Sequence, residues 1–73
     1  MEETQRDRRR DSLIRIKAVQ ARTGLSVATI YRRESEGTFP KKVRLGPRMV
    51  AWYQSDIEDF VASPLSFDAV EEE

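Results

Sequence analysis

Apolar residues are sparse along this chain and fall into short clusters, and the spacing within each cluster points to the element it belongs to. After Met1, residues 2–12 contain no apolar side chain. They read as a flexible polar arm. Leu13, Ile14 and Ile16 form a brief extended entry, with Leu13 or Ile14 expected to pack under a later hairpin. Ile16, Val19 and Gln20 then repeat at helical spacing, which predicts a first helix over Lys17–Arg22. Two turns cannot stand alone, so this helix needs tertiary burial. Gly24 supplies the permissive backbone of a turn. Ser26 follows as an N-cap, with Leu25 and Ile30 placed to staple the entry of a second helix over Val27–Ser35. Val27, Ile30 and part of Tyr31 face inward, and Gly37 ends the helix.

Phe39 anchors the next loop, and Pro40 extends it. Val43-Arg44-Leu45 and Val50-Ala51-Trp52 alternate on either side of Gly46-Pro47-Arg48, a turn signal. This predicts a two-stranded hairpin that buries Val43, Leu45, Val50 and Trp52. Ser55 and Glu58 match a capping box, opening a third helix that packs Ile57, Phe60 and Val61. The pattern breaks at Pro64. Leu65, Phe67 and Val70 follow in an acidic tail, in which Leu65-Ser66-Phe67 is a candidate partner-binding segment. The fold predicted is mainly α with a small β-hairpin. The arm covers residues 1–12, one domain covers 13–62, and the tail covers 63–73.

Composition narrows the function. The 73 residues include no cysteine and no histidine, which removes disulfides, thiol nucleophiles, the commonest general base and the commonest metal ligand. Asp56, Glu58 and Asp59 suit the positive end of a helix dipole better than acid–base chemistry. No enzyme, metal or cofactor is therefore expected. No apolar run reaches the length of a membrane span, so a cytoplasmic protein is expected.

Net charge is zero, yet the charges are segregated. Residues 13–48 hold nine basic and two acidic side chains, and residues 49–73 hold seven acidic and no basic ones. A polyanion reads the local face and not the sum. Helix, glycine turn and capped helix form the layout of a helix-turn-helix, whose second helix would enter a DNA major groove. Thr29, Arg32 and Arg33 lie on its outward side. Arginine can hold guanine through two bonds, and the Thr29 methyl can touch thymine. The Tyr31 hydroxyl is placed to donate to a phosphate. Lys41, Lys42, Arg44 and Arg48 make the hairpin basic, as a wing that would contact the backbone or minor groove. Arg6, Arg8, Arg9 and Arg10 would extend such contacts, or serve only as a soluble tail.

The sequence also resembles the AlpA-like family of small phage and prophage regulators and, more distantly, MerR-type and excisionase DNA-binding domains. The likeness rests on Leu13-Ile14-Arg15-Ile16-Lys17, Thr23-Gly24-Leu25-Ser26, Thr29-Ile30-Tyr31-Arg32, Glu36-Gly37-Thr38-Phe39-Pro40, Val43-Arg44-Leu45-Gly46, Arg48, Trp52 and Ser55-Asp56-Ile57. It implies a winged helix-turn-helix that binds double-stranded DNA and regulates a nearby promoter. It places Ser26, Thr29, Tyr31 and Arg32 on the DNA-facing helix and Arg44 and Arg48 in the wing. The family commonly has an aliphatic residue where this chain has Arg33. Two alternatives share the fold: an excisionase-like factor that bends DNA, with an integrase as partner, and a protein-interaction module. One short reading helix buries little surface, so a homodimer or tandem binding is expected.

Overall fold

The computed structural model describes residues 8–67 and builds them around Trp52, which is fully buried. Phe39 meets its ring edge-on at a centroid distance of 6.5 Å, and Phe60 lies 4.8 Å from Phe39. Val19, Ile30 and Ile57 close the cluster. The indole N–H donates to the Pro40 carbonyl at 3.1 Å, so the ring's one polar group is satisfied inside the core.

Three helices and a three-stranded antiparallel sheet surround this centre, consistent with a winged-helix-like topology. In chain order they are β1 (Leu13–Ile14), α1 (Ile16–Thr23), α2 (Val27–Glu36), β2 (Val43–Gly46), β3 (Met49–Tyr53) and α3 (Gln54–Ala62). Helices α1 and α2 each run on to a glycine in the left-handed region, Gly24 at φ 78° and Gly37 at φ 81°. The Gly24 amide closes α1 on the Gln20 carbonyl at 2.7 Å. Leu25 packs against the core cluster that includes Ile30, as the staple requires. Val27 does not: it is 40% exposed, because Ile30 and Arg33 carry the inward line of the helix.

The sheet corrects the predicted hairpin. The entry segment is a third strand, and the order is β1-β3-β2. Ile14 pairs with Trp52 and packs on the core, while Leu13 pairs with Tyr53 and is 45% exposed. Across the hairpin, Val43 pairs with Ala51 and Arg44 with Val50, and a bulge lets Gly46 face Met49. Directly paired residues share a face, so Val43 and Leu45 lie on the side of the sheet opposite Val50 and Trp52. Leu45 is accordingly 44% exposed and not buried.

Two further differences come from long-range contacts. The stretch Arg8–Arg10 is a 3-10 turn, and Arg8 stacks over Tyr53 at 3.9 Å and pairs with Asp11 and Asp56. The arm is thus docked from Arg8 onward. The Ser55–Glu58 capping box does not form. Asp11 caps α3 instead, and Glu58 reaches α1, where its carboxylate accepts from Arg22 at 2.6 and 2.8 Å. At the other end Phe67 turns onto Phe60, edge-on at 5.7 Å, while Leu65 is 99% exposed. Of the two, Phe67 packs on the core cluster and Leu65 does not. Arg6, Asp68, Val70 and the final glutamates lie outside the described residues.

Candidate nucleic-acid interface

Helix α2 organises the candidate face. Ser26 sits at its N-cap in extended conformation, and its hydroxyl oxygen accepts from the Thr29 amide at 3.2 Å. The Ser26 hydroxyl also donates to Thr29 Oγ1 at 3.0 Å, which fixes both polar side chains at the helix entrance. Ile30 pins the helix to the core. That leaves Ala28, Tyr31, Arg32 and Ser35 exposed on the far side, with Thr29 half-buried beside them.

Arg32 is held only loosely. Its guanidinium lies 3.5 Å from Glu36 one turn away, with both side chains at least half exposed. Such a pair is easily exchanged for another anion. Tyr31 leans its ring on Trp52 at 6.1 Å, and 37% of the residue remains exposed.

The hairpin is joined to this helix by a contact the sequence does not advertise. Glu34 accepts from the Lys42 backbone amide at 2.8 Å and from its ammonium at 3.1 Å. Lys42 also lies 5.7 Å over the Tyr31 ring. Glu34 looks out of place in a basic stretch, and its role appears only once the residue eight positions on returns to α2. Lys41 is exposed next to this joint. Strand alternation then puts Arg44 on the helix side of the sheet, level with Val50 and beyond the core. Arg48 stands exposed in the hairpin turn. Neither Arg44 nor Arg48 has a hydrogen bond or ion pair with the described residues.

Arg33 departs from the rest. It is half-buried, with its guanidinium 5.4 Å over the Phe60 ring, and it donates to the Pro64 carbonyl at 3.2 Å and to the Thr38 carbonyl at 3.5 Å. Its Nε is buried without an acceptor. Arg33 is thus turned toward α3 and the chain's C-terminal turn, away from Arg32. Of the nine residues named from sequence, Ser26 and Thr29 meet at the start of α2, and Lys42 reaches Tyr31 and Glu34 on the same helix. Arg48 stands at the hairpin tip, and Arg33 is turned to Thr38, Pro64 and Phe60.

The acidic side chains of the described segment are largely committed elsewhere. Asp56 pairs with Arg8 and Glu58 with Arg22. Burial alone would raise the pKa of Asp11. Hydrogen bonds from the Ser55 hydroxyl, the Ser12 and Ser55 amides and Arg8 outweigh it and hold the carboxyl at about 2, below its ordinary 3.8. Among the described residues no group of three His, Cys, Asp or Glu side chains is arranged to hold a metal, and no helix is long and apolar enough to cross a membrane.

The family model for the prophage CP4-57 regulatory protein (AlpA) matches residues 12–65. Uncharacterized protein ORF88 of Enterobacteria phage P4 is 34% identical over 56 residues, covering 77% of this chain and 64% of that protein. The DNA-binding transcriptional activator AlpA of Escherichia coli (strain K12) is also 34% identical over 56 residues, covering 68% of this chain and 80% of the relative. The chain thus spans less than two thirds of the phage P4 protein's length. Because the matched residues 12–65 take in β1 through α3 and the turn beyond, the chain belongs to the AlpA family of phage and prophage regulatory proteins.

Proposed function

We propose that this protein is a sequence-specific DNA-binding transcription regulator of phage or prophage type, acting in the bacterial cytoplasm as a winged helix-turn-helix. Helix α2 lies in the major groove and the β2–β3 hairpin rides beside it as the wing. One observation supports the reading: Glu34 clamps Lys42, which ties the start of the basic hairpin to α2. A duplex that exchanges the Glu36 contact for a guanine edge gives up little, since that pair is long and solvated. Arg44 and Arg48 have no described protein partner to leave, so they suit phosphate contact, which sets register and not sequence. Tyr31 presents a polar edge above a ring already anchored on Trp52. Arg33 makes no base contact in this reading, since its guanidinium is spent on Pro64, Thr38 and Phe60.

Titrating the protein against its own upstream DNA and a scrambled duplex, at two salt concentrations, tests this. Tighter own-site binding that weakens steeply with salt is expected. Arg32→Ala should reduce the preference for the specific site by about 10-fold or more. Arg44→Ala should weaken both duplexes alike and lower the salt slope by about 1. Arg33→Met should change neither. Equal, feeble binding to both duplexes would overturn regulation at its own promoter. Binding with a strong bend at repeated sites would favour an excision factor.

A further inference from the structure

Residues 13–48 hold two acidic side chains among nine basic ones, and both acids lie on α2. Glu34 is explained by the fold: its side chain is 11% exposed, and both of its oxygens hold Lys42. Glu36 is not. Its side chain is 50% exposed and meets Arg32 at 3.5 Å. That pair does little for the helix, because an acid four residues after a base is the weaker order for a helical ion pair. Glu36 is also the last residue of α2, where the helix dipole is negative and disfavours a carboxylate. On a helix that meets a polyanion it opposes phosphate attraction as well. An exposed carboxylate that serves neither the fold nor non-specific attraction is left with a partner on the ligand. On the reading that places α2 in the major groove, we infer that Glu36 is a specificity-determining residue that accepts from a cytosine near the guanine held by Arg32.

The chemistry selects the base. An ionised carboxylate only accepts hydrogen bonds. In the major groove cytosine presents its N4 amino group with no acceptor of its own beside it. Guanine presents two acceptors, thymine one, and adenine an acceptor next to its donor. Cytosine is therefore the base that suits Glu36. Spacing selects its place. Four residues along an α-helix rise about 6 Å, nearly two base steps of about 3.4 Å each. Arg32 and Glu36, one turn apart on α2, match a guanine and a cytosine within two steps of each other. In the free protein the two groups partly neutralise one another. They separate without loss only where the duplex supplies an acceptor for one and a donor for the other. Any other sequence leaves Glu36 facing acceptors or phosphate, so the residue lowers affinity for wrong sites more than it raises affinity for the right one.

Selection of binding sites from a randomised duplex pool tests this, with the parent, Glu36→Ala, Glu36→Gln and Glu58→Gln carried in parallel. The parent should enrich a site with a guanine and a cytosine within two steps. Glu36→Ala should keep the guanine and lose a cytosine preference of about 10-fold, measured on single-base variants of the site. It should also bind a scrambled duplex more tightly than the parent does. Glu36→Gln should move the preference from cytosine to adenine, whose N6 and N7 suit an amide. A structural or long-range charge effect would not change the identity of one base. Glu58→Gln removes the same charge from α3, where Glu58 pairs with Arg22, and should select as the parent does. Both Glu36 variants should melt at or slightly above the parent. If Glu36→Ala enriches the parent's site unchanged, this inference is overturned and the DNA-binding reading stands. A position that depends on Glu36 but is not cytosine would overturn it too. A parent that enriches no sequence would overturn both.

Discussion

Helices α2 and α3 both begin beside a serine, and the two serines play opposite parts. At α2, Ser26 is the cap itself, and its oxygen accepts from the Thr29 amide three residues on. At α3 the chain turns from β3 into helix at Tyr53, which offers no side-chain cap. The first amides are taken from far upstream: Gln54 donates to the Ser12 carbonyl at 2.7 Å and Ser55 to Asp11 Oδ1 at 3.2 Å. Ser55 is a donor here, giving its hydroxyl proton to Asp11 Oδ2 at 2.5 Å. The start of α2 is therefore closed within its own turn and depends on nothing distant. The start of α3 is a joint that ties residues 8–14 to the domain, with Arg8 bridging Asp11 and Asp56 across it. A helix proposed to read DNA gains from the first arrangement, because its exposed side can meet a ligand without loosening the fold.

The sharpest way to break this contrast is to remove the tertiary cap. Asp11→Ala leaves the Ser55 hydroxyl and two amides without their acceptor and removes one of the two carboxylates that hold Arg8. A loss of about 2–3 kcal/mol in urea denaturation is expected, since bonds to a charged group are the stronger kind. A loss no greater than that of an ordinary surface substitution would show that the joint does not hold the domain.

Acid should act on the same joint. The Asp11 carboxyl is held at about 2 in the fold, against an ordinary 3.8. The folded form thus binds the proton less readily than the unfolded chain, and stability from this group is complete above about pH 4. It is lost as pH falls from there toward 2. Asp11→Asn should flatten that part of the stability–pH curve while leaving α2 untouched. An unchanged curve in the variant would place the acid sensitivity elsewhere.

These contrasts also show which parts of the molecule could be read from residues in order. Ser26, Gly24, Gly37 and Ile30 act on neighbours within a turn, so their spacing alone defined the bounds of α2, though Val27 and Arg33 changed sides. The core aromatics Phe39, Trp52 and Phe60 were recognisable because large apolar side chains are rare in this chain. The sheet was legible as a hairpin but not in register, since a slip of one residue exchanges the two faces and every residue here except Arg44 is apolar or glycine. Leu45 was misplaced for that reason, and β1 was read as an extended entry but not as a strand of the sheet, because two residues carry no periodicity. Within the candidate face, Arg33 and Glu34 were illegible: one arginine and one glutamate look solvated until Pro64 and Lys42 return to them through distant segments.

A smaller effect is expected from the self-contained cap. Ser26→Ala removes one acceptor at an exposed helix start, and about 1 kcal/mol should be lost in urea denaturation. Its pH profile should match the parent's, because no carboxyl takes part. A loss as large as that of Asp11→Ala would erase the distinction between the two helix starts.

The smallest effect is the most diagnostic for α3. If Ser55 and Glu58 formed a reciprocal capping box, Glu58→Gln would keep much of the bond and Glu58→Ala would lower the melting temperature by the cost of a lost cap. In the structure Glu58 turns away from its own helix start and meets Arg22 at the last turn of α1, where both side chains are at least 40% exposed. The Glu58 carboxylate raises the Arg22 pKa, yet solvent and salt screen a pair so open. Both substitutions should therefore melt with the parent at moderate ionic strength. Thermal melts of Glu58→Ala and Asp11→Ala, run side by side, separate the two origins of the α3 cap: a shift in the first and none in the second would return the cap to Ser55 and Glu58, and the reverse assigns it to Asp11.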